Sequence, residues 1–409
     1  MKKMTYYPIG LLLLGLLACK DLGSGSDQQR IPPRPLTSLE KALVSADNSF
    51  GFKLFTAVNR DEIGKNVFVS PVSVSMALGM TLNGANGATR DSMARTLEFA
   101  GLSQNDINTS YKSLITLLTG LDPNVTFQIA NSIWYRLELN VVQEFKDVNK
   151  EYFNAEIASL DFGDPDAPGI INGWVDKNTN GRIKEIVEPP IPRDAVMYLI
   201  NAIYFKGAWT FRFDQKLTRD DFFELPDGTK KPCKMMVHQA RFAYYGNDEL
   251  QAIDVPYGDG GFSMTILLPK PGTKIDEFVA TMTQERWKEW TGGLHKTDII
   301  LHLPKFTLEY GKKLNDVLEA MGMAIAFAPG EADFTNIDRA GGLFISQVKH
   351  KTFVQVDEEG TEAAAVTSVE ISRVSVTPTM RIDRPFVFVI RENHSGTILF
   401  IGKIVEPKL

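Results

Sequence analysis

The amino-acid sequence predicts an α+β protein in which residues 37–409 form one large domain with large antiparallel or mixed β-sheets. Helical and strand-like patterns follow one another along these residues without the regular βαβ rhythm of a parallel sheet. After residue 36, no Pro-, Gly- and Ser-rich stretch is long enough to separate two domains, although the chain has 409 residues. Apolar residues make up 44% of the chain and charged residues 23%, which is typical of a globular protein with a substantial core.

Four segments carry helix signals. Thr37 and Glu40 have the spacing of a capping box, and apolar residues follow them at helical intervals. The pair Ser70-Pro71 places a capping residue before a proline, which predicts a helix start. Apolar periodicity predicts two further helices, at 275–290 and 314–321.

Five apolar runs predict β-strands, and the last two have the spacing of a hairpin. Their connection, residues 391–396, is rich in turn-forming residues. The predicted strands are 195–205, 263–268, 353–356, 385–390 and 397–405.

Residues 1–18 have the features of an export signal. Lys2 and Lys3 precede an apolar run of about ten residues, which is too short to span a bilayer. The run ends at Cys19 in a sequence that resembles a bacterial lipobox, so we expect a lipidated Cys19 followed by a flexible Gly-, Ser- and Pro-rich tether over 19–36. The protein would then be exported and lipid-anchored in the envelope of a Gram-negative bacterium, surface-exposed or otherwise. Secretion after an ordinary cleaved signal, or a buried helix start, remains the alternative.

Composition and motifs argue against several functions. The 44 basic and 50 acidic residues give a net charge of −6, which is unfavourable for nucleic-acid binding. Apart from Cys19, Cys233 is the single thiol, so neither an internal disulfide nor a cysteine zinc site is expected. The five histidines show no metal-ligand spacing, and the chain has no GxSxG, P-loop or Rossmann motif. We therefore expect no enzyme activity, no metal and no cofactor.

The segment 360–371 has an unusual alternation. Its odd-numbered residues, from Thr361 to Ile371, are all uncharged, whereas both charged residues, Glu362 and Glu370, are at even positions. Because strand side chains alternate between two faces, this pattern predicts a strand with one buriable face. A polar stretch with Pro378 follows, so the segment is either an edge strand leading into a loop or a loop that can become a strand.

This segment resembles the hinge of the reactive-centre loop of serpins, a family of serine protease inhibitors. Further runs at 66–73, 172–183, 199–209, 384–388 and 402–404 resemble other segments of that family in the same order, so the resemblance covers nearly the whole domain. The hinge residues are Glu358, Glu359, Gly360, Thr361, Glu362, Ala363, Ala364 and Ala365.

The resemblance implies a serpin fold with about eight to nine helices and an exposed reactive-centre loop. It also implies a monomeric inhibitor that is cleaved as a suicide substrate and traps the protease covalently. Counting from Gly360 and from Pro385 in the family's usual register places the reactive bond at Val374–Ser375. Val374 suits elastase-like proteases, and Arg373 offers trypsin-like enzymes a secondary cleavage site. A non-inhibitory serpin that acts as a binding or carrier protein is the alternative.

The resemblance also assigns two residue groups outside the loop. Ser70, Ser73, Asn201 and His350 correspond to the family's polar cluster where the strands of the main sheet separate. Trp209, Lys305 and Glu358 correspond to the point where insertion begins. Each has a simpler explanation: Ser70 also suits a helix cap, His350 an ordinary core histidine, and the second group simple packing or a surface ion pair.

Overall fold

The structure is a computed structural model that describes residues 33–361 and 377–409. Contacts group the chain from Pro35 to Leu409 into one unit. The predicted export signal and Cys19 lie outside the described residues. So do several predicted loop residues: Glu362, Ala363, Ala364, Ala365, Arg373, Val374 and Ser375.

Ten α-helices lie within the described residues. They are α1 Ser38–Asp61, α2 Pro71–Leu82, α3 Gly87–Thr96, α4 Gln104–Thr119, α5 Gln143–Phe153, α6 Ala167–Asn178, α7 Ile275–Ala280, α8 Gln284–Gly292, α9 Asn315–Leu318 and α10 Ala324–Phe327. The last two are four-residue turns on either side of a π-helical turn, Glu319–Met323.

The described residues also contain fifteen β-strands. They are β1 Val67–Val69, β2 Val125–Arg136, β3 Ala155–Leu160, β4 Met197–Ala208, β5 Arg219–Glu224, β6 Lys230–Gly246, β7 Leu250–Tyr257, β8 Phe262–Pro269, β9 His295–Pro304, β10 Phe306–Lys313, β11 Lys349–Val356, β12 Gly360–Thr361, β13 Thr379–Arg381, β14 Phe386–Glu392 and β15 Ile398–Ile404. All five predicted strands are present, and β14 and β15 form the predicted hairpin.

The strands form three hydrogen-bonded groups. A nine-stranded sheet has the order β1-β15-β14-β8-β7-β6-β9-β13, with β5 on β6. A four-stranded sheet has the order β12-β4-β2-β3, and β10 and β11 form a two-stranded ribbon. Two parallel pairs, β2 with β3 and β9 with β13, make the sheets mixed, which confirms the predicted α+β class.

The predicted capping box at α1 is confirmed. The Glu40 N–H donates to the Thr37 hydroxyl at 3.2 Å, and the Thr37 N–H donates to the Glu40 carboxylate at 2.7 Å. At α2, Pro71 is the first helical residue as predicted, but the Ser70 side chain makes no capping bond. Its hydroxyl instead donates to the Leu399 carbonyl at 2.7 Å, which ties the helix start to β15.

Two predicted helices are interrupted. Residues 281–283 separate α7 from α8, where Thr283 accepts a capping bond from the Arg286 N–H. The helix predicted at 314–321 is α-helical only over Asn315–Leu318 and continues as the π-helical turn Glu319–Met323, in which Gly322 has a φ of 120°. Local apolar periodicity does not register either break.

A gap between β4 and β11 dominates the architecture around the candidate site. Both strands run in the same direction, since β12 is antiparallel to β4 and a tight turn separates β11 from β12. No hydrogen-bonded ladder joins β4 to β11 within residues 33–361 and 377–409. One end of the gap is occupied by β12, where Gly360 lies opposite Ala208 and Thr361 opposite Gly207.

Candidate functional site

Gly360 allows the chain to turn from β11 into the gap. Its φ is 145°, and a Cβ at this position would lie 2.1 Å from the Gly207 carbonyl oxygen and 2.7 Å from the Ala208 Cα. The Asp357 N–H donates to the Gly360 carbonyl at 3.1 Å, which closes the turn. Both the conformation and the close approach of β4 therefore require glycine here.

Thr361 is already buried between the strands, with 4% of its surface exposed. Its hydroxyl lies 2.9 Å from the hydroxyl of Tyr257, whose ring stacks on Trp209 at a centroid distance of 4.3 Å. Burial raises the pKa of Tyr257, so the phenol stays protonated and can share this hydrogen bond. The Thr361 side chain is thus matched to a buried polar partner.

The three residues assigned to the insertion start converge on the same turn. Trp209 donates its indole N–H to the Asp357 carbonyl and its backbone N–H to the Glu359 carbonyl, both at 2.9 Å. The Lys305 ammonium lies 2.7 Å from the Glu358 carboxylate, whose other oxygen accepts from a threonine hydroxyl at 2.7 Å. These contacts hold the turn and β12 against the end of β4.

The Glu358 carboxylate is stabilised in its charged form. Burial alone would raise the pKa of Glu358, but the hydrogen bonds from Lys305 and Thr218 outweigh that effect and lower it. Sequence reasoning missed Thr218 and Tyr257, because neither lies near the hinge in the chain and neither belongs to a run that resembles the family.

Ser70 and His350 meet at the far end of the gap. The Ser70 N–H donates to His350 Nε2 at 3.0 Å, so this nitrogen carries no proton and the ring is neutral. Burial lowers the pKa of His350 to about 4, which agrees with a neutral imidazole. The contact links the start of α2 to β11.

Ser73 and Asn201 form a second contact on the other side of the gap. The Ser73 hydroxyl donates to the Asn201 carbonyl at 3.3 Å, and the Asn201 amide donates to the Asn131 side-chain oxygen at 2.7 Å. Asn201 Oδ1 is buried and accepts no hydrogen bond from the described residues. The four residues therefore make two contacts at the start of α2, one with β11 and one with β4.

Members of both pairs, Ser73, Asn201 and His350, line one cavity of about 120 Å³. Residues 196–203 of the β4 side line one wall and residues 343–351 the other, with α2 beneath and residues 183–187 above. The walls are mainly aliphatic. We call this space between β4 and β11, which is lined mainly by aliphatic residues together with Ser73, Asn201 and His350, the slot.

The described residues offer little for other chemistry. Within 33–361 and 377–409, no three His, Cys, Asp or Glu side chains are grouped as metal ligands require. The Cys233 thiol is buried, and burial raises its pKa to about 11, so it is a poor nucleophile. No helix in the described part of the chain is long and apolar enough to cross a bilayer.

The family is settled by comparison with known proteins. The family model described as "Serpin (serine protease inhibitor)" matches residues 45–407. The chain belongs to the serpin family. It is 34% identical over 376 residues to the leukocyte elastase inhibitor of Xenopus laevis, covering 89% of this chain and 99% of that protein.

Solved serpin structures share the fold. The native state of the thermophilic serpin tengpin superposes with a TM-score of 0.83 at 31% identity, covering 92% of this chain and 98% of tengpin. Human thyroxine-binding globulin, crystallised with thyroxine, gives a TM-score of 0.83 at 28% identity, covering 91% of this chain and all of that one. The predicted serpin fold is confirmed, and the chain is a serine protease inhibitor rather than an enzyme.

Proposed function

We propose that this serpin traps its target protease covalently after cleavage at Val374–Ser375. The protease serine attacks the Val374 carbonyl carbon, the peptide bond breaks, and Ser375 leaves with a new amino terminus. The freed segment then enters the gap between β4 and β11 as a new strand, carrying the acyl-enzyme with it. A strand of about 14 residues at about 3.3 Å each moves the protease about 45 Å. Distortion of its catalytic site there prevents hydrolysis of the ester.

The observation that carries the proposal is that β12, the start of the inserting segment, already pairs with β4 at one end of the gap. Thr361 is already paired with Gly207 and buried, so insertion continues an existing ladder. Six residues further along each strand, the same register places Thr367 opposite Asn201. Directly opposite residues in an antiparallel pair share a face. The Thr367 hydroxyl would therefore lie beside Asn201 Oδ1, a buried acceptor to which no described residue donates.

If the β12–β4 register continues, the two large apolar residues near the end of segment 360–371 come to lie at the cavity. Val369 would lie opposite Leu199, and Ile371 opposite Met197, both of which line the cavity. Burying each of these two side chains stabilises the inserted form by about 1.5–3 kcal/mol. The uncharged face noted in the sequence is therefore the face that would meet the core.

For targets, we propose elastase-like serine proteases as the main class. Val374 is a branched aliphatic residue of the size a small apolar specificity pocket accepts. The similarity to leukocyte elastase inhibitors agrees with this assignment. Trypsin-like enzymes would use Arg373, which shortens the inserted segment by one residue, and trapping would then be less efficient. We further propose that the inhibitor acts as a monomer on a lipid anchor at Cys19.

The test is to incubate the purified domain with pancreatic elastase and, separately, with trypsin. We expect an SDS-stable complex with elastase, and mass spectrometry of the released fragment should show a start at Ser375. A fragment that starts at Val374 identifies cleavage after Arg373. Clean cleavage without any stable complex, with either enzyme, would instead support the carrier alternative.

A further inference from the structure

Asp47, Ser75 and Tyr111 form a buried polar trio where α1, α2 and α4 meet. Asp47 Oδ1 lies 2.6 Å from the Ser75 hydroxyl oxygen and 2.9 Å from the Tyr111 hydroxyl oxygen, and the two hydroxyl oxygens are 2.6 Å apart. Asp47 is 2% exposed. Its second carboxyl oxygen, Oδ2, is also buried and receives no hydrogen bond from the described residues.

The geometry of the trio indicates that Asp47 carries a proton. Three short contacts need three hydrogens, and the two hydroxyl groups supply only two. Burial raises the pKa of Tyr111, so its hydroxyl keeps its hydrogen. A proton on Asp47 Oδ1 completes a ring in which each of the three oxygens donates once. Burial acts in the same direction and raises the pKa of Asp47 to about 7, although the hydrogen bonds from Ser75 and Tyr111 oppose it.

The helices around the trio provide no counter-ion for an ionised Asp47. α2 contains no charged residue. On α4, the exposed Lys112 lies 3.6 Å from Glu151, and Asp106 accepts the Ser103 N–H at the start of the helix. An ionised Asp47 would therefore be an unpaired charge within the helical layer, which is strongly unfavourable.

His350 is a second buried titratable group that contacts α2. Its Nε2 accepts the Ser70 N–H directly before the helix, and its ring is neutral. Lys312, directly opposite on β10, lies 3.1 Å from the Asp61 carboxylate and 3.3 Å from the Glu62 carboxylate. Burial lowers the pKa of His350 from 6.5 to about 4. A buried acid and a buried base, both neutral, therefore contact α2 and the residue before it.

We propose that Asp47 and His350 compensate each other, so that the stability of the native protein stays nearly constant over a range of acidic pH. In the unfolded chain, the carboxyl group titrates near 3.8 and the imidazole near 6.5. Between about 4 and about 6.5, the unfolded chain therefore holds an ionised Asp47 and a protonated His350. The native protein holds the proton on Asp47 instead. Folding moves one proton from the base to the acid, with no net uptake or release, and stability then does not depend on pH.

Either group alone would make stability depend on pH, with opposite sign. The pKa of Asp47 is raised on folding, so its contribution to stability decreases as pH rises from about 4 to about 7. The pKa of His350 is lowered on folding, so its contribution decreases as pH falls from 6.5 to about 4. Each contribution changes the folding equilibrium constant about tenfold per pH unit, and the two changes cancel where the ranges overlap.

The experiment measures urea-induced unfolding of the full chain at several pH values between about 4 and about 6.5. Wild type, Asp47→Asn and His350→Gln are each compared with the double variant. Relative to the double variant, the folding equilibrium constant of the wild type should stay within about threefold across this range. That of Asp47→Asn should fall about tenfold for each unit by which pH falls. That of His350→Gln should fall about tenfold for each unit by which pH rises.

A control variant and a spectroscopic measurement complete the test. Asp248→Asn neutralises an exposed aspartate and should keep the wild-type profile. At about pH 6, where exposed carboxyl groups are ionised, native wild type should show the infrared carbonyl stretch of a protonated carboxyl group. This band should be absent from native Asp47→Asn and should disappear when the wild type is unfolded by heat.

Two results would overturn the proposal. Equal pH profiles for wild type and Asp47→Asn, or a native wild type without the band, would show that Asp47 is ionised in the folded protein. A wild-type profile that follows either single variant would show that the other group does not compensate. Neither measurement involves cleavage of the loop, so the outcome is independent of the trapping experiment with elastase.

Discussion

Replacing Thr361 with arginine should convert the inhibitor into an ordinary substrate. Thr361 is almost completely buried, and its side chain is hydrogen-bonded to the neutral hydroxyl of Tyr257. The nearest carboxylate in the insertion-start group, Glu358, is already paired with Lys305 at 2.7 Å. An arginine at this position would therefore enter the slot as an unpaired buried charge.

The size of the effect of Thr361→Arg on the insertion barrier follows from the contacts that the hinge makes with β4 and Tyr257. The β12 ladder and the hydroxyl pair are worth about 0.5–1.5 kcal/mol for each hydrogen bond. Burying an unpaired charge costs several kcal/mol, so the hinge should leave the slot rather than hold the arginine there. Native stability then falls only slightly, because the arginine stays in water. A barrier raised by about 3–4 kcal/mol slows insertion several hundredfold, since each 1.4 kcal/mol is a factor of ten.

The assay titrates elastase with each variant and measures, by denaturing gel, how much of the inhibitor forms an SDS-stable complex and how much is released as cleaved protein. Thr361→Arg should give cleaved protein and almost no complex. Thr361→Ser keeps the hydroxyl and is the matched control, for which trapping should be preserved. Undiminished complex formation by Thr361→Arg would refute insertion at this register.

Three other results are expected. Cleavage of the loop between Glu370 and Pro378 should raise the melting temperature by tens of degrees, measured by calorimetry, and an unchanged transition would contradict metastability. Cys19→Ala should release the protein from the membrane fraction or leave the precursor uncleaved, and unaltered fractionation would exclude a lipid anchor. Because burial lowers the pKa of His350 from 6.5 to about 4, unfolding takes up a proton in this range. The wild type should then lose about 1.4 kcal/mol of stability per unit as pH falls from about 6.5 to about 4, relative to His350→Gln; parallel pH profiles would show that His350 is not buried neutral.

Elements whose signal is local were predictable from the sequence. The Thr37–Glu40 box and the β14–β15 hairpin depend on residues within a few positions of each other, and both formed as expected. The position of Gly360 was also readable, because its neighbours resemble a hinge. That β4 approaches Gly360 within van der Waals contact depends on packing between distant segments and was not readable.

The candidate site shows most clearly what the sequence alone does not predict. The structure joins Ser70 to His350 and Ser73 to Asn201, and Ser73, Asn201 and His350 line one cavity. The distance between the two contacts depends on the separation of β4 and β11. Because no hydrogen-bonded ladder among the described residues pairs these two strands, their sequences do not indicate which of their residues lie side by side. The Arg182 guanidinium lies over the Phe353 ring, 4.9 Å from its centroid, and this contact also escaped prediction because the two residues are 171 positions apart in the chain.

The C-terminal anchor of the loop explains why an intact chain would keep the slot open. Residues 362–378 connect β12 to β13, which is paired in parallel with β9 at the edge of the nine-stranded sheet. The Arg381 side chain on β13 forms ion pairs with Asp221 and, at 3.2 Å, with Asp383. In the proposed mechanism, an uncut loop could complete its insertion only by pulling β13 away from β9 and breaking these ion pairs. Cleavage within the loop removes that requirement at once, because the inserting segment is then free at its end. In the proposed mechanism, a donor to Asn201 Oδ1 and side chains that fill the cavity arrive only after this release. The stabilisation expected on cleavage and the proposed trapping of the protease would then have the same physical origin.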